Sequence, residues 1–227
     1  MASDARGIDR LGGVSFIASG LLFFLICLLE RVTGPPPSNG AAILAWAAAG
    51  SGALAWSVEL LFFAAMFLVP AVIALHRSLA GSSPALAAAG CGAMAALIPV
   101  LLVLDIVQGR LVFPVYGLRL ASPQVAELIV ALHAGGMHAV LVVMGAATAL
   151  LSVAMWRGAS GKGLAVLGLV TAVFELIGSY PWAVGPLVVL VSQGLLAAWF
   201  VAVGWRLTRL RPGFALTASP GAAPPRA

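Results

Sequence analysis

Six apolar stretches, each close to the roughly twenty residues that a bilayer crossing needs, dominate this sequence. They run over residues 13–29, 52–75, 85–107, 134–155, 163–180 and 183–205. Turn-forming runs separate them: Gly34-Pro35-Pro36-Pro37-Ser38-Asn39-Gly40, Gly81-Ser82-Ser83-Pro84, Gly158-Ala159-Ser160-Gly161 and Tyr180-Pro181-Trp182. Only 8% of the residues are Asp, Glu, Lys or Arg, against about a quarter in a soluble domain. A soluble fold could not cover its surface with so few charges. The expected fold is all-α: a polytopic integral membrane protein, a bundle of six transmembrane helices. Residues 1–206 form its single domain, and residues 207–227, rich in Pro, Ala, Gly and Arg, a disordered cytoplasmic tail.

Orientation follows from the basic residues. Arg6, Arg10, Arg77, Arg157, Lys162, Arg206, Arg209, Arg211 and Arg226 fall on one side of the expected spans, and Arg31, Arg110 and Arg119 on the other. The positive-inside rule places the larger set, and both termini, in the cytoplasm of a cell inner membrane. Trp46, Trp56 and Trp182 then mark the outer interface, and Trp156 and Trp205 the inner one. The net charge of +5 is explained by helix ends that meet anionic headgroups, and does not point to nucleic acid. The apolar run 13–29 has no small-residue cleavage site after it, so it reads as a retained helix rather than a signal peptide. Cys27 and Cys91 lie at opposite ends of their helices, too far apart for a disulfide.

Two shorter segments accompany the spans. Residues 41–49 form an interfacial helix or an early extension of the second span. Residues 124–133 are an amphipathic lead-in to the fourth. A helix continuous from 124 is about 46 Å long, so it must tilt, kink at Gly135-Gly136 or project from the membrane. Small residues at four-residue spacing, Gly194-Ala198-Ala202 and Ser15-Ser19, suggest helix contacts.

Four acids do not belong in lipid: Glu59, Asp105, Glu127 and Glu175. An intramembrane charge costs at least about 2.5–3.5 kcal/mol near the bilayer centre, so each needs a reason. All four, with His133 and His138, fall in the outer half of the spans or just above. That common depth predicts a polar cavity open to the outside. Trp56 and Phe63 share the face of Glu59, and Thr171, Gly178 and Ser179 that of Glu175. The candidate ligand-binding set is Glu59, Glu175, Asp105, Trp56, Phe63, His138 and Ser179. The bland readings differ in force. Asp105 has Arg110 as an interfacial partner, and Glu127 is a first-turn acid favoured by its own helix dipole. Glu59 and Glu175 are deeper, with no in-span Lys or Arg to pair with. They could share a proton, or bond to Ser and Thr as neutral acids.

No pattern asks for a metal or another cofactor. His133 and His138 are five residues apart, about 140° around a helix, and there is no HExxH. Gly161-Lys162-Gly163 lacks the upstream glycine and the following Ser or Thr of a phosphate loop.

Three stretches carry a resemblance: RLGGVSFI from Arg10, AVIALHRSL from Ala71 and WFVAVGWRLTR from Trp199. In these the chain resembles a group of uncharacterised bacterial six-helix membrane proteins known as a domain of unknown function. The resemblance implies six helices and no established activity. The residues themselves leave three functions open. One is binding or transport of a small cationic or amphipathic molecule through the outward cavity. Another is a membrane enzyme on a lipid-soluble, isoprenoid-like substrate, with Glu59 and Glu175 as catalytic acids in an aromatic pocket. The third is a structural or partner-binding role in which the acids stabilise the bundle or a homo-oligomer.

Overall fold

The computed structural model describes residues 2–157 and 161–209. Its elements are α1 (Ala2–Thr33), α2 (Gly40–Ala49), α3 (Ser51–Leu79), α4 (Pro84–Gly109), α5 (Pro123–Arg157), α6 (Lys162–Gly178), the single turn α7 (Pro181–Val184) and α8 (Pro186–Arg209). The fold is all-helical, with no strand among the described residues. Five helices, α1, α3, α4, α5 and α8, are long and apolar enough to cross a membrane. The sixth expected span, α6, has 17 residues. The last helix continues to Arg209, three residues into the expected tail, and residues 210–227 lie outside the described part.

Why helices, and why they end where they do, is local chemistry. A chain that buries its backbone in hydrocarbon must satisfy every N–H and C=O within the segment, which the α-helix does. Pro70 and Pro99 sit inside α3 and α4 without ending them. Each removes one donor, a loss that membrane helices tolerate. The breaks fall at residues that cannot continue a helix. Asn39 caps α2 by accepting from the Ala42 N–H at 2.9 Å. Gly185, at φ 74°, turns the chain between α7 and α8, so the last long helix begins at Pro186 and not at 183.

The long helices form a ring in chain order. α1 packs on α3, α3 on α4, α4 on α5, α5 on α6 and α6 on α8, and α8 returns to α1. Neighbours run antiparallel. The inter-helix contacts group Thr33, α2, Gly109, Pro123, Ser179 and α7 at one end, called here the loop end, and Gly13, Thr208 and Gly161 at the other. The ring's centre is filled by Phe16, Leu68, Met94, Leu101, Met144, Leu151, Trp199 and Phe200. Phe16 stacks on Phe200 at 4.3 Å and meets Trp199 edge-on at 5.8 Å.

Closure depends on glycine where α1 crosses α8. A Cβ on Gly204 would lie 2.5 Å from the Gly13 carbonyl oxygen and 3.0 Å from the Ile17 nitrogen. Gly20 approaches Phe200 and Ala197 in the same way. The contact stripe on α8 therefore runs through Ala197 and Gly204; of the expected Gly194-Ala198-Ala202 stripe, Gly194 meets Phe24 of α1 and Ala198 is exposed. The Ser15-Ser19 stripe does face a helix: both are buried, and Ser19 donates to the Ala64 carbonyl at 2.9 Å.

The segment 41–49 is a helix of its own, and it holds the lead-in of α5. The Gly40 N–H donates to Glu127 Oε1 at 2.6 Å, and Trp46 Nε1 donates to the Thr33 carbonyl at 2.9 Å. Glu127 is thus not an acid of its own helix's first turn; it caps α2 across 87 residues of chain. That anchors the overhang of α5, whose 35 residues span about 52 Å without a break. Loss of this cap in Glu127→Ala is expected to cost about 1 kcal/mol. It should also speed amide exchange in α2 while leaving α4 unchanged, a comparison that hydrogen exchange with mass spectrometry reads directly.

Candidate functional site

The acids expected to share one cavity lie at one end of the bundle but on different faces. Glu59 is exposed on the outside of α3. Trp56, 65% exposed, and Phe63 flank it there, and Gly52, Ala55 and Phe113 complete an open depression on that surface. Glu175 is fully buried in the ring. A single pocket touching both acids is therefore corrected: α3 and α6 are not neighbours in the ring, and Glu59 looks outward.

Asp105 belongs with the first group. It is buried on α4, close enough to Glu59 for like charges to repel, and its Oδ1 has no hydrogen-bond partner. The expected pairing with Arg110 does not form. The Arg110 guanidinium donates instead to the Phe113 and Leu118 carbonyls, at 3.2 and 3.3 Å. It pins the loop that turns at Tyr116 and Gly117, both at positive φ.

Glu175, Ser179 and His138 come together at the loop end of α5 and α6. Ser192 Oγ of α8 donates to Glu175 Oε1 at 2.7 Å, while Oε2 is buried without a partner. The Ser179 side chain donates to the Leu176 carbonyl at 2.8 Å. The Ser179 carbonyl meets His138 Nδ1 at 2.8 Å. A carbonyl only accepts, so His138 carries a proton on Nδ1 and donates it here. Tyr180 and Trp182 pack against the imidazole, with centroids 4.7 and 5.6 Å away. His133 turns the other way, its Nδ1 3.4 Å from the Leu104 carbonyl of α4. No family model, curated protein or solved structure matches this chain.

The polar ground extends below Glu175. One face of α6 presents Gly168, Thr171, Glu175 and Gly178; it meets Gly145, Thr148 and Ser152 of α5 and Ser192 and Trp199 of α8. A Cβ on Gly178 would press Ser192, and one on Gly168 would collide with both Ser152 Oγ and Trp199 Nε1. Those two atoms therefore border one point on α6. Ser152 Oγ donates to the Thr148 carbonyl at 2.6 Å, and Thr171 Oγ1 to the Leu167 carbonyl at 2.8 Å. Thr148 Oγ1 and Trp199 Nε1 are buried without partners. The candidate set had omitted Ser192, Thr148, Ser152 and Trp199. Small and polar residues at three- and four-residue spacing in α5 and α6 were a legible signal for this seam. Nothing local marked Trp199 as its wall.

Proposed function

We propose that this protein crosses the membrane six times and binds or carries a small cationic or amphipathic molecule at Glu175. α6 would be the sixth crossing; about 26 Å of helix falls slightly short of a 30 Å hydrocarbon core, which local thinning accommodates. The basic residues of the end opposite the loop end, Arg77, Arg157, Lys162, Arg206 and Arg209, favour that end, and both termini, on the cytoplasmic side of the inner membrane.

One observation carries the ligand reading. Glu175 is buried among apolar helices with one oxygen unpartnered, and no basic side chain of the described residues pairs with it. A bare carboxylate in such a place is costly, so the group either holds a proton or meets a cation from outside the chain. The adjacent ring group of His138, Tyr180 and Trp182 supplies aromatic faces for an amphipathic body or a cation. An isoprenoid-processing enzyme is less well supported, because Trp56 and Phe63, which would have lined its pocket, lie outside the ring.

Native mass spectrometry of gently purified protein tests this reading. Wild type and Glu59→Gln should carry the same non-lipid adduct, and Glu175→Gln should lose it. An adduct that survives Glu175→Gln, or a wild type with none, would overturn the proposal in favour of a structural role for the acid.

A further inference from the structure

The seam between α5, α6 and α8 holds three of the buried side-chain atoms without partners: Glu175 Oε2, Thr148 Oγ1 and Trp199 Nε1. All three side chains are fully buried. Buried polar atoms in native proteins are almost always bonded, to protein or to ordered water. They do not bond one another. Glu175 stands seven residues along α6 from Gly168, the level of Trp199, a rise of roughly 10 Å. Thr171 on α6 and Ser152 on α5 bring hydroxyls to the levels between them. Ser152 and Thr171 give their protons to backbone carbonyls and keep lone pairs free to accept. The seam thus offers an indole donor at its deep end, hydroxyls along its length, and a carboxyl at the loop end.

We propose that this seam is a hydrated proton-binding site, in which Glu175 takes up and releases a proton and internal water bridges Glu175, Thr148 and Trp199. The inference rests on the ligand reading of Glu175 only in what the proton is exchanged for. Release breaks the carboxyl O–H bond. The proton passes to a water of the seam, and the electron pair stays on the carboxylate. A cationic ligand then balances that charge, so one proton leaves for each unit of positive charge that binds.

Few titratable or charged groups face Glu175 from the elements around it. On α5 the only titratable neighbour toward the seam is His138, held through Ser179 at the loop end. α7 contributes no charge, and α8 none before Arg206 at the opposite end. Across the ring, α1 turns Cys27 toward it, with Glu30 and Arg31 at that helix's terminus. Lys162, on α6 itself, stands at the far end of the helix.

Exchange of the Trp199 indole proton tests hydration without any ligand. The probe is the protein labelled with nitrogen-15 at its indoles in detergent micelles, with the Trp199 signal assigned by its loss in Trp199→Phe. The expected result is deuterium exchange of that indole within minutes, although the residue is fully buried. Its shift should follow a titration that disappears in Glu175→Gln. Thr148→Val, which removes a hydroxyl at nearly constant volume, should slow the exchange about fivefold. An indole protected as long as the core amides of α8, or a titration that persists in Glu175→Gln, overturns the proposal. The two readings fail separately. Fast exchange with no adduct in the mass spectrum leaves a proton site without a ligand, and an adduct with a protected indole leaves a dry ligand site.

Discussion

Replacing Gly204 with leucine opens the ring and costs about 3 kcal/mol. The reason is what the new Cβ meets. At Gly204 it lies against the carbonyl oxygen of Gly13 and the nitrogen and Cγ1 of Ile17. The first two are backbone atoms of a hydrogen-bonded helix, so they cannot rotate away as a side chain could. α8 must move off α1, the main contact through which α8 closes the ring. The packing above the crossing goes with it, since Phe16 and Phe200 stack from these same two helices. Within a bilayer this loss is felt in full, because dispersion between close helices, and not exclusion of water, drives association. Titration with SDS from mixed micelles, followed by circular dichroism, should show Gly204→Leu unfolding well before wild type. Gly92→Leu is the control, since a Cβ there meets nothing within 4 Å. Equal losses for the two would refute the crossing.

Trp199→Ala is expected to cost about 3 kcal/mol, the low end of the range for truncating a buried aromatic. In a soluble core that range includes transfer of the side chain from water. A membrane helix separated from its partners keeps its indole in lipid, so that part shrinks and the cavity remains. The cavity would border Phe16, Phe200, Gly168 and Ser152. Trp182→Ala, at an indole 66% exposed, should change the same SDS midpoint by no more than about 0.5 kcal/mol. A Trp199→Ala midpoint within that margin would show that the indole is not part of the ring's centre.

The contrast between these tryptophans shows what a sequence of this kind carries. Six apolar segments, their breaks and their all-helical character are legible because lipid permits few alternatives, and each span must be long enough to cross. The distance of a residue from its helix end is legible too. Glu59, Asp105, Glu175, His133 and His138 do lie toward one end of the bundle. What a residue at a given height meets was not legible. Glu127 was legible as an acid near the start of α5, but its partner Gly40 stands 87 residues away.

Azimuth was legible only where small and polar residues recur, as along the buried face of α6. A soluble amphipathic helix declares its inner face by contrast with its polar one. Here the helices are apolar all around, and the lipid side accepts the same Leu, Val and Phe as the core. Trp56 and Phe63 look outward for that reason, and nothing in their local pattern distinguishes them from Phe16 and Trp199 inside. The sequence by itself determined an all-helical membrane fold and the height of its polar residues. The tertiary structure decided which of them meet. Glu59 faces out, Asp105 and Glu175 face in, and Glu175 joins Ser192 through the packing of α6 on α8. The physical reason is that height follows from a helix's own rise, whereas facing depends on which neighbours its small residues let approach.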